Sequence, residues 1–124
     1  MKYKNRIVYP PELRRHLVEI LAPYAGKQAA IGRIPLTNRV YQRGFRVSER
    51  QVRECIKWLR RNGYLICSTA GAKGGYYMAS TKDEFAEFDH DEFGAKIADM
   101  NETRQAMLKT AVKMFGDAVQ LEAF

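Results

Sequence analysis

Apolar residues recur along the chain with two periods, and each run ends at a recognisable stop. Leu13, Leu17, Ile20 and Leu21 fall at helical spacing, and Val18 widens their stripe. Pro10-Pro11 precedes them; proline suits the first turn of a helix, where its missing N–H has no partner to lose. Pro23 and Gly26 break the pattern. The spacing predicts a helix over residues 11–22, preceded by an arm, 1–10. Ile34 and Leu36 alternate across Pro35, which predicts a short edge strand over 31–36 because proline cannot donate to a ladder. Thr37 is placed to cap a second helix over 38–43, with Val40 and Tyr41 facing in and Gly44 ending it. Ser48-Glu49-Arg50-Gln51 is a capping box: the hydroxyl accepts from the amide of residue 51, and Gln51 reaches back. It opens a third helix, 49–62, whose inward face is Val52, Cys55, Ile56 and Leu59, and Asn62-Gly63 closes it.

The period then shortens. Tyr64-Leu65-Ile66-Cys67-Ser68 and Tyr76-Tyr77-Met78-Ala79-Ser80 have strand composition and predict a hairpin with a glycine-rich tip, 69–75. Thr81 and Glu84 make a second capping box that opens a short acidic helix. Asp89 and Asp91 can cap a last helix running to about residue 121. A 4,3,4,3 spacing marks that helix: Phe93, Ile97, Met100, Arg104, Met107, Ala111, Met114, Ala118, Leu121. Leu108, Val112, Phe115 and Val119 broaden the face beyond a two-stranded seam. The face would pack on the first helix or against a second copy. The residues expected at a homodimer contact are Ile97, Met100, Met107, Leu108, Ala111, Met114, Phe115 and Leu121.

Charge adds a polarity to this order. The chain has 124 residues, 21 Lys and Arg against 14 Asp and Glu, and a net charge of +7. Residues 1–82 carry 17 basic and 4 acidic side chains, +13, whereas 83–124 carry 4 and 10, −6. A basic body is thus joined to an acidic C-terminal third. The length suits one domain with an appended element. No run of apolar residues is long enough for a transmembrane helix, and no apolar stretch follows the basic start as in a secretory signal. Cys55 and Cys67 sit among apolar neighbours and read as reduced, buried thiols, which fits a cytoplasmic protein. His16 and His90 are too remote to complete a zinc site with them.

The element order is helix, short strand, helix, tight turn, helix, strand, loop, strand, helix. Over about residues 11–80 this resembles the winged helix–turn–helix superfamily. The resemblance is carried by Gly44 in the turn, Ser48-Glu49-Arg50-Gln51-Val52-Arg53 opening the third helix, Leu59-Arg60-Arg61-Asn62-Gly63-Tyr64 leaving it, and Gly74-Gly75-Tyr76-Tyr77 leaving the loop. The last piece looks like small winged-helix proteins of phages and prophages. The resemblance implies an α+β, mostly α fold, a winged helix–turn–helix domain over 11–80, and an added helical extension over 81–124. It also implies double-stranded DNA as partner, with helix 48–62 in the major groove and the loop 69–75 on the backbone or in the minor groove.

The residues can be weighed independently of that likeness. At about 100° per residue, the face opposite Val52, Cys55, Ile56 and Leu59 carries Arg50, Glu54, Lys57 and Arg61, flanked by Arg53 and Arg60 on one side and Gln51 and Trp58 on the other. So many like charges repel one another unless a partner neutralises them. Arg50, Gln51, Arg53, Glu54 and Lys57 are the expected base contacts, since arginine grips guanine with two donors. Arg39, Arg43, Arg46, Ser48, Arg60, Arg61, Lys73 and Tyr77 are the expected phosphate contacts. No nucleophile with a base and no metal spacing stands out, so neither an enzyme nor a cofactor, metal or small-molecule ligand is expected. The reading is a sequence-specific DNA-binding protein, a transcriptional regulator or a phage-type replication or maintenance factor, dimeric and nucleoid-associated, with no membrane partner. Two alternatives stay open: a phage-type protein that inhibits or recruits another protein through its C-terminal helix, and an RNA or single-stranded DNA binder.

Overall fold

The computed structural model describes residues 10–71 and 74–116. They form helix α1 (Pro11–Leu21), strand β1 (Ile31–Gly32), helices α2 (Arg33–Gln42) and α3 (Glu49–Arg61), strands β2 (Ile66–Ser68) and β3 (Gly75–Met78), and helices α4 (Lys82–Asp89) and α5 (Ala95–Phe115). The fold is α+β and mostly helical. The chain divides into two compact units after Phe88, not at residue 80 as the sequence suggests. All of α4 but its last residue therefore lies in the first unit.

The first unit is built on one apolar core. Leu13, Leu17, Ile20 and Leu21 of α1 meet Leu36 and Val40 of α2, Val52, Cys55, Ile56 and Leu59 of α3, and Ile31, Ile66 and Tyr76 of the sheet. The α1 and α3 stripes are those that the sequence spacing marks, and each fully buried Leu or Ile contributes roughly 1.5–3 kcal/mol. The capping box of α3 forms as expected: Ser48 Oγ accepts from Gln51 N at 3.1 Å, and Gln51 Oε1 accepts from Ser48 N at 2.8 Å. Arg14 lies 3.9 Å over the Trp58 ring and ties α1 to α3.

The start of α2 corrects the sequence reading. β1 is only two residues long, and the helix begins at Arg33 rather than after Thr37. Pro35 stands in the first turn, where a missing N–H costs nothing. Thr37 is inside the helix and donates from Oγ1 to Arg33 O at 2.9 Å, so it caps nothing. Tyr41, expected to face in, is exposed. Gly44, at φ +96, turns the chain out of α2, a conformation that L side chains rarely adopt.

The sheet is antiparallel in the order β1-β3-β2. β1 pairs Ile31 with Tyr76 and Gly32 with Gly75; β2 pairs Ile66 with Met78, Cys67 with Tyr77 and Ser68 with Tyr76. Gly75 is a close approach of two backbones, because a Cβ there would lie 2.2 Å from Ile31 O. Both faces of β3 are covered. Tyr76 joins the main core, and Tyr77 packs with Cys67 and Phe88 of α4 in a second cluster. Cys55 and Cys67 are free and buried in the separate clusters, and burial pushes the Cys55 thiol up to about 11.

Helix α4 is anchored by two carboxylates, Glu84 and Glu87, the latter paired with Lys27 Nζ at 2.7 Å. Thr81 Oγ1 accepts from Glu84 N at 3.1 Å, as a capping box requires, but the Glu84 carboxylate reaches past Thr81. Its Oε1 accepts from Ser80 N at 2.9 Å and from the Ser80 hydroxyl at 2.6 Å, and its Oε2 accepts from Lys27 N at 2.8 Å. These bonds, the Ser80 hydroxyl first, hold the carboxyl down to about 2.

In the second unit, His90–Gly94 forms a π-helical turn before α5. Asp89 and Asp91 do not cap. Asp89 is itself helical, with no side-chain cap, and Asp91 lies 3.1 Å from His90 Nδ1. α5 ends at Phe115, where Gly116 leaves the helical region, rather than near residue 121. No described residue of α5 is buried.

Candidate nucleic-acid interface

Helix α3 presents two opposed faces, as its spacing requires. Val52, Cys55, Ile56 and Leu59 are buried, while Arg50, Arg53, Glu54, Lys57 and Arg61 are exposed. Arg46, in the turn before α3, is exposed as well. Among the described residues, none of Arg46, Arg50, Arg53, Lys57 and Arg61 is in an ion pair. Elsewhere on this unit, among the described residues, Arg14, Arg39 and Lys82 are also in no ion pair, with Arg14 and Arg39 against aromatic rings, but the other cations are paired. Arg15 pairs with Glu19, Lys27 with Glu87, Arg33 with Glu49 and Arg43 with Glu19. The uncompensated charge is therefore concentrated on α3 and the turn that leads into it.

Several residues expected at this surface are committed to the fold. Arg43 donates to Glu19 Oε1 at 2.8 Å and lies 3.0 Å from His16 Nδ1, bracing α2 against α1. The Arg43 guanidinium, with Arg15, holds the Glu19 carboxyl below the usual carboxylate range. Arg60 donates from Nε to Ile66 O at 2.6 Å and from Nη2 to Ser68 Oγ at 3.3 Å, with its guanidinium 5.1 Å from the Phe88 ring centroid. It fastens α3 to β2 rather than facing a phosphate. Tyr77 is 2% exposed, so the expected phosphate contact is corrected: its ring is enclosed between Cys67 and Phe88. Burial pushes its hydroxyl up to about 12. Gln51 Oε1 accepts in the capping box, which leaves its amide NH2 and one oxygen lone pair to read a base. Arg39 lies 5.7 Å from the Tyr24 ring centroid and is exposed. Lys73 and Leu121 lie outside the described residues.

The sequence does not single out Arg33, because Ile34-Pro35-Leu36 reads locally as a strand. As the first residue of α2, it lines a cleft of about 290 Å³ together with Arg53, Ser68, Thr69 and Tyr76. The hairpin tip beside it is tight: Gly74 N donates to Gly71 O at 2.9 Å and Thr69 N to Gly75 O at 2.9 Å.

In the second unit, Ile97, Met100, Met107, Met114 and Phe115 are each about two-thirds exposed or more, and Leu108 and Ala111 are half-buried. A groove of about 530 Å³ runs along α5 past Met100, Arg104, Met107, Leu108 and Ala111. Among the described residues no group of three or more His, Cys, Asp or Glu could hold a metal, and no helix is long and apolar enough to cross a membrane. Compared with protein-family models, curated proteins and solved structures, the chain matches none.

Proposed function

We propose that the first unit is a winged helix–turn–helix domain that binds double-stranded DNA, with α3 as the recognition helix in the major groove and the β2–β3 hairpin as the wing. The element order α1-β1-α2-α3-β2-β3 and the sheet order β1-β3-β2 support the winged-helix reading. The observation that carries DNA binding is the contrast in charge pairing. Among the described residues, five cations on α3 and the preceding turn have no carboxylate, while Arg15, Lys27, Arg33 and Arg43 on other surfaces of the unit do and only Arg14, Arg39 and Lys82 there do not. An unneutralised row of this kind suits the phosphates of a groove. In this reading Arg50, Arg53, Glu54 and Lys57 face base edges, with the Gln51 amide beside them, and Arg39, Arg46 and Arg61 take phosphates. Arg43 and Arg60 serve the scaffold that aims them. The protein acts as a sequence-specific binder in the cytoplasm, as a transcriptional regulator or a phage-type replication or maintenance factor, and not as an enzyme.

Helix α5 supports a second element of the reading. Its exposed Ile97, Met100, Met107, Met114 and Phe115 suit a protein contact, and a homodimer would carry two α3 helices to be matched by a two-fold symmetric site. Selection of bound sites from a random duplex pool tests both parts. Enrichment of a two-fold symmetric site supports the dimeric regulator. Absence of any duplex retention at low salt overturns the DNA reading in favour of a protein-binding module.

A further inference from the structure

The cleft between α3, the first turn of α2 and the β2–β3 hairpin carries a set of donors of which the DNA reading uses only Arg53. It encloses about 290 Å³ and is lined by Arg33, Arg53, Ser68, Thr69, Tyr76 and Gly75. The two small hydroxyls have already accepted hydrogen bonds: Ser68 Oγ from Arg60 Nη2 at 3.3 Å, and Thr69 Oγ1 from Gly75 N at 3.0 Å. A hydroxyl that has accepted keeps its own proton to give. Tyr76 is only 7% exposed, yet its hydroxyl has no hydrogen-bond partner among the described residues, although buried polar groups are normally paired. The phenol stands in the field of Arg60, Arg53 and Arg33, opposed by the Glu49 carboxylate. Arg53 is in no ion pair, and Arg33 has only Glu49 at 3.6 Å, a half-exposed pair that solvent weakens.

We propose that this cleft binds a phosphate group, with the Arg53 and Arg33 guanidiniums on its oxygens and the hydroxyls of Ser68, Thr69 and Tyr76 donating to the rest. Guanidinium forks match phosphate geometry, and five convergent donors against one carboxylate select an anion. The cleft is larger than a phosphate alone and leaves room for the group that it esterifies. Two sources share this chemistry: a backbone phosphodiester of DNA, and a small phosphorylated molecule. The inference goes beyond the DNA reading, since the cleft needs no duplex to be filled.

The test is an NMR titration of the full chain with inorganic phosphate, balanced with chloride at constant ionic strength. Saturable shifts of the Thr69 and Gly75 amides are expected. Affinity should fall at least about fivefold in Arg53→Gln and in Tyr76→Phe, the latter keeping the ring in the core, and should be unchanged in Arg15→Gln on α1. A short duplex that displaces the phosphate, and that itself binds more weakly to Tyr76→Phe, identifies the DNA backbone as the source. Failure of the duplex to displace it identifies a small phosphorylated ligand. The proposal is overturned by the absence of saturable shifts, or by unchanged affinity in both cleft variants. Phosphate binding without duplex binding would keep the cleft and overturn the DNA reading; duplex binding without a phosphate response would do the reverse.

Discussion

Adding a single methyl group at Gly75 isolates the contact that holds β1 on β3. An ideal Cβ there would lie 2.2 Å from Ile31 O and 2.6 Å from Ile31 C, where ordinary contact begins near 3.4 Å. The overlap exceeds 1 Å, and both struck atoms are backbone, so no side chain can rotate away. β1 has only two residues, paired Ile31–Tyr76 and Gly32–Gly75, and must be pushed off. Losing about two ladder bonds at about 1 kcal/mol each, with overpacking of about 1–3 kcal/mol, gives a cost of about 3–5 kcal/mol for Gly75→Ala. Gly44→Ala is the comparison. Nothing lies within 4 Å of its Cβ, but φ is +96, so its cost of about 1–2 kcal/mol is backbone strain alone. Urea unfolding followed by circular dichroism gives both values. A loss for Gly75→Ala that is below 1 kcal/mol, or smaller than that of Gly44→Ala, would refute the close approach of the two strands.

Three further predictions follow from local chemistry. Ser48→Ala should destabilise by about 1 kcal/mol through loss of the α3 cap, and Ser48→Asp should restore most of it, both read from urea midpoints; equal loss in both variants would count against the cap. The Glu84 carboxyl titrates at about 2 in the folded chain against an ordinary 4.5, so its stabilisation is fully present above pH 4.5 and is lost as pH falls toward 2. Glu84→Gln should therefore lose less stability than the parent between neutral pH and pH 2, and identical losses would dismiss the role of the Ser80 and Lys27 bonds. Cys55, buried with its thiol pushed up to about 11, and Cys67 should resist an aromatic disulfide reagent near pH 8 until denaturant is added, whereas fast reaction of both in native buffer would contradict their burial.

Much of the first unit is legible in the sequence because its elements are signalled locally. The stripe of α1, the capping box and buried face of α3, and the hairpin that follows need only spacing and short-range hydrogen bonds. The start of α2 is not legible, because proline suits the first turn of a helix as well as an edge strand, and only the tertiary context chooses. Tyr77 is misjudged for a different reason. Strand alternation tells two faces apart but not whether both are covered, and here Phe88 of α4 covers the second. At the candidate interface, spacing identifies the exposed basic face of α3 but not which cations are already engaged. The acceptors of Arg60 are six and eight residues further along the chain, and those of Arg43 are on another helix. Arg33 gains its place beside Arg53 only once α2 and the hairpin are assembled.

The central claim, that the unpaired cations of α3 and its preceding turn bind duplex DNA, is tested most directly by the salt dependence of duplex affinity. Fluorescence anisotropy with a labelled random-sequence duplex, from low to moderate potassium chloride, measures the slope of log K against log salt. About three to five neutralised phosphates predict a slope of about −3 to −4.5, reduced by about 1 in Arg61→Gln. A slope near zero, or no binding at micromolar protein in low salt, would contradict the account.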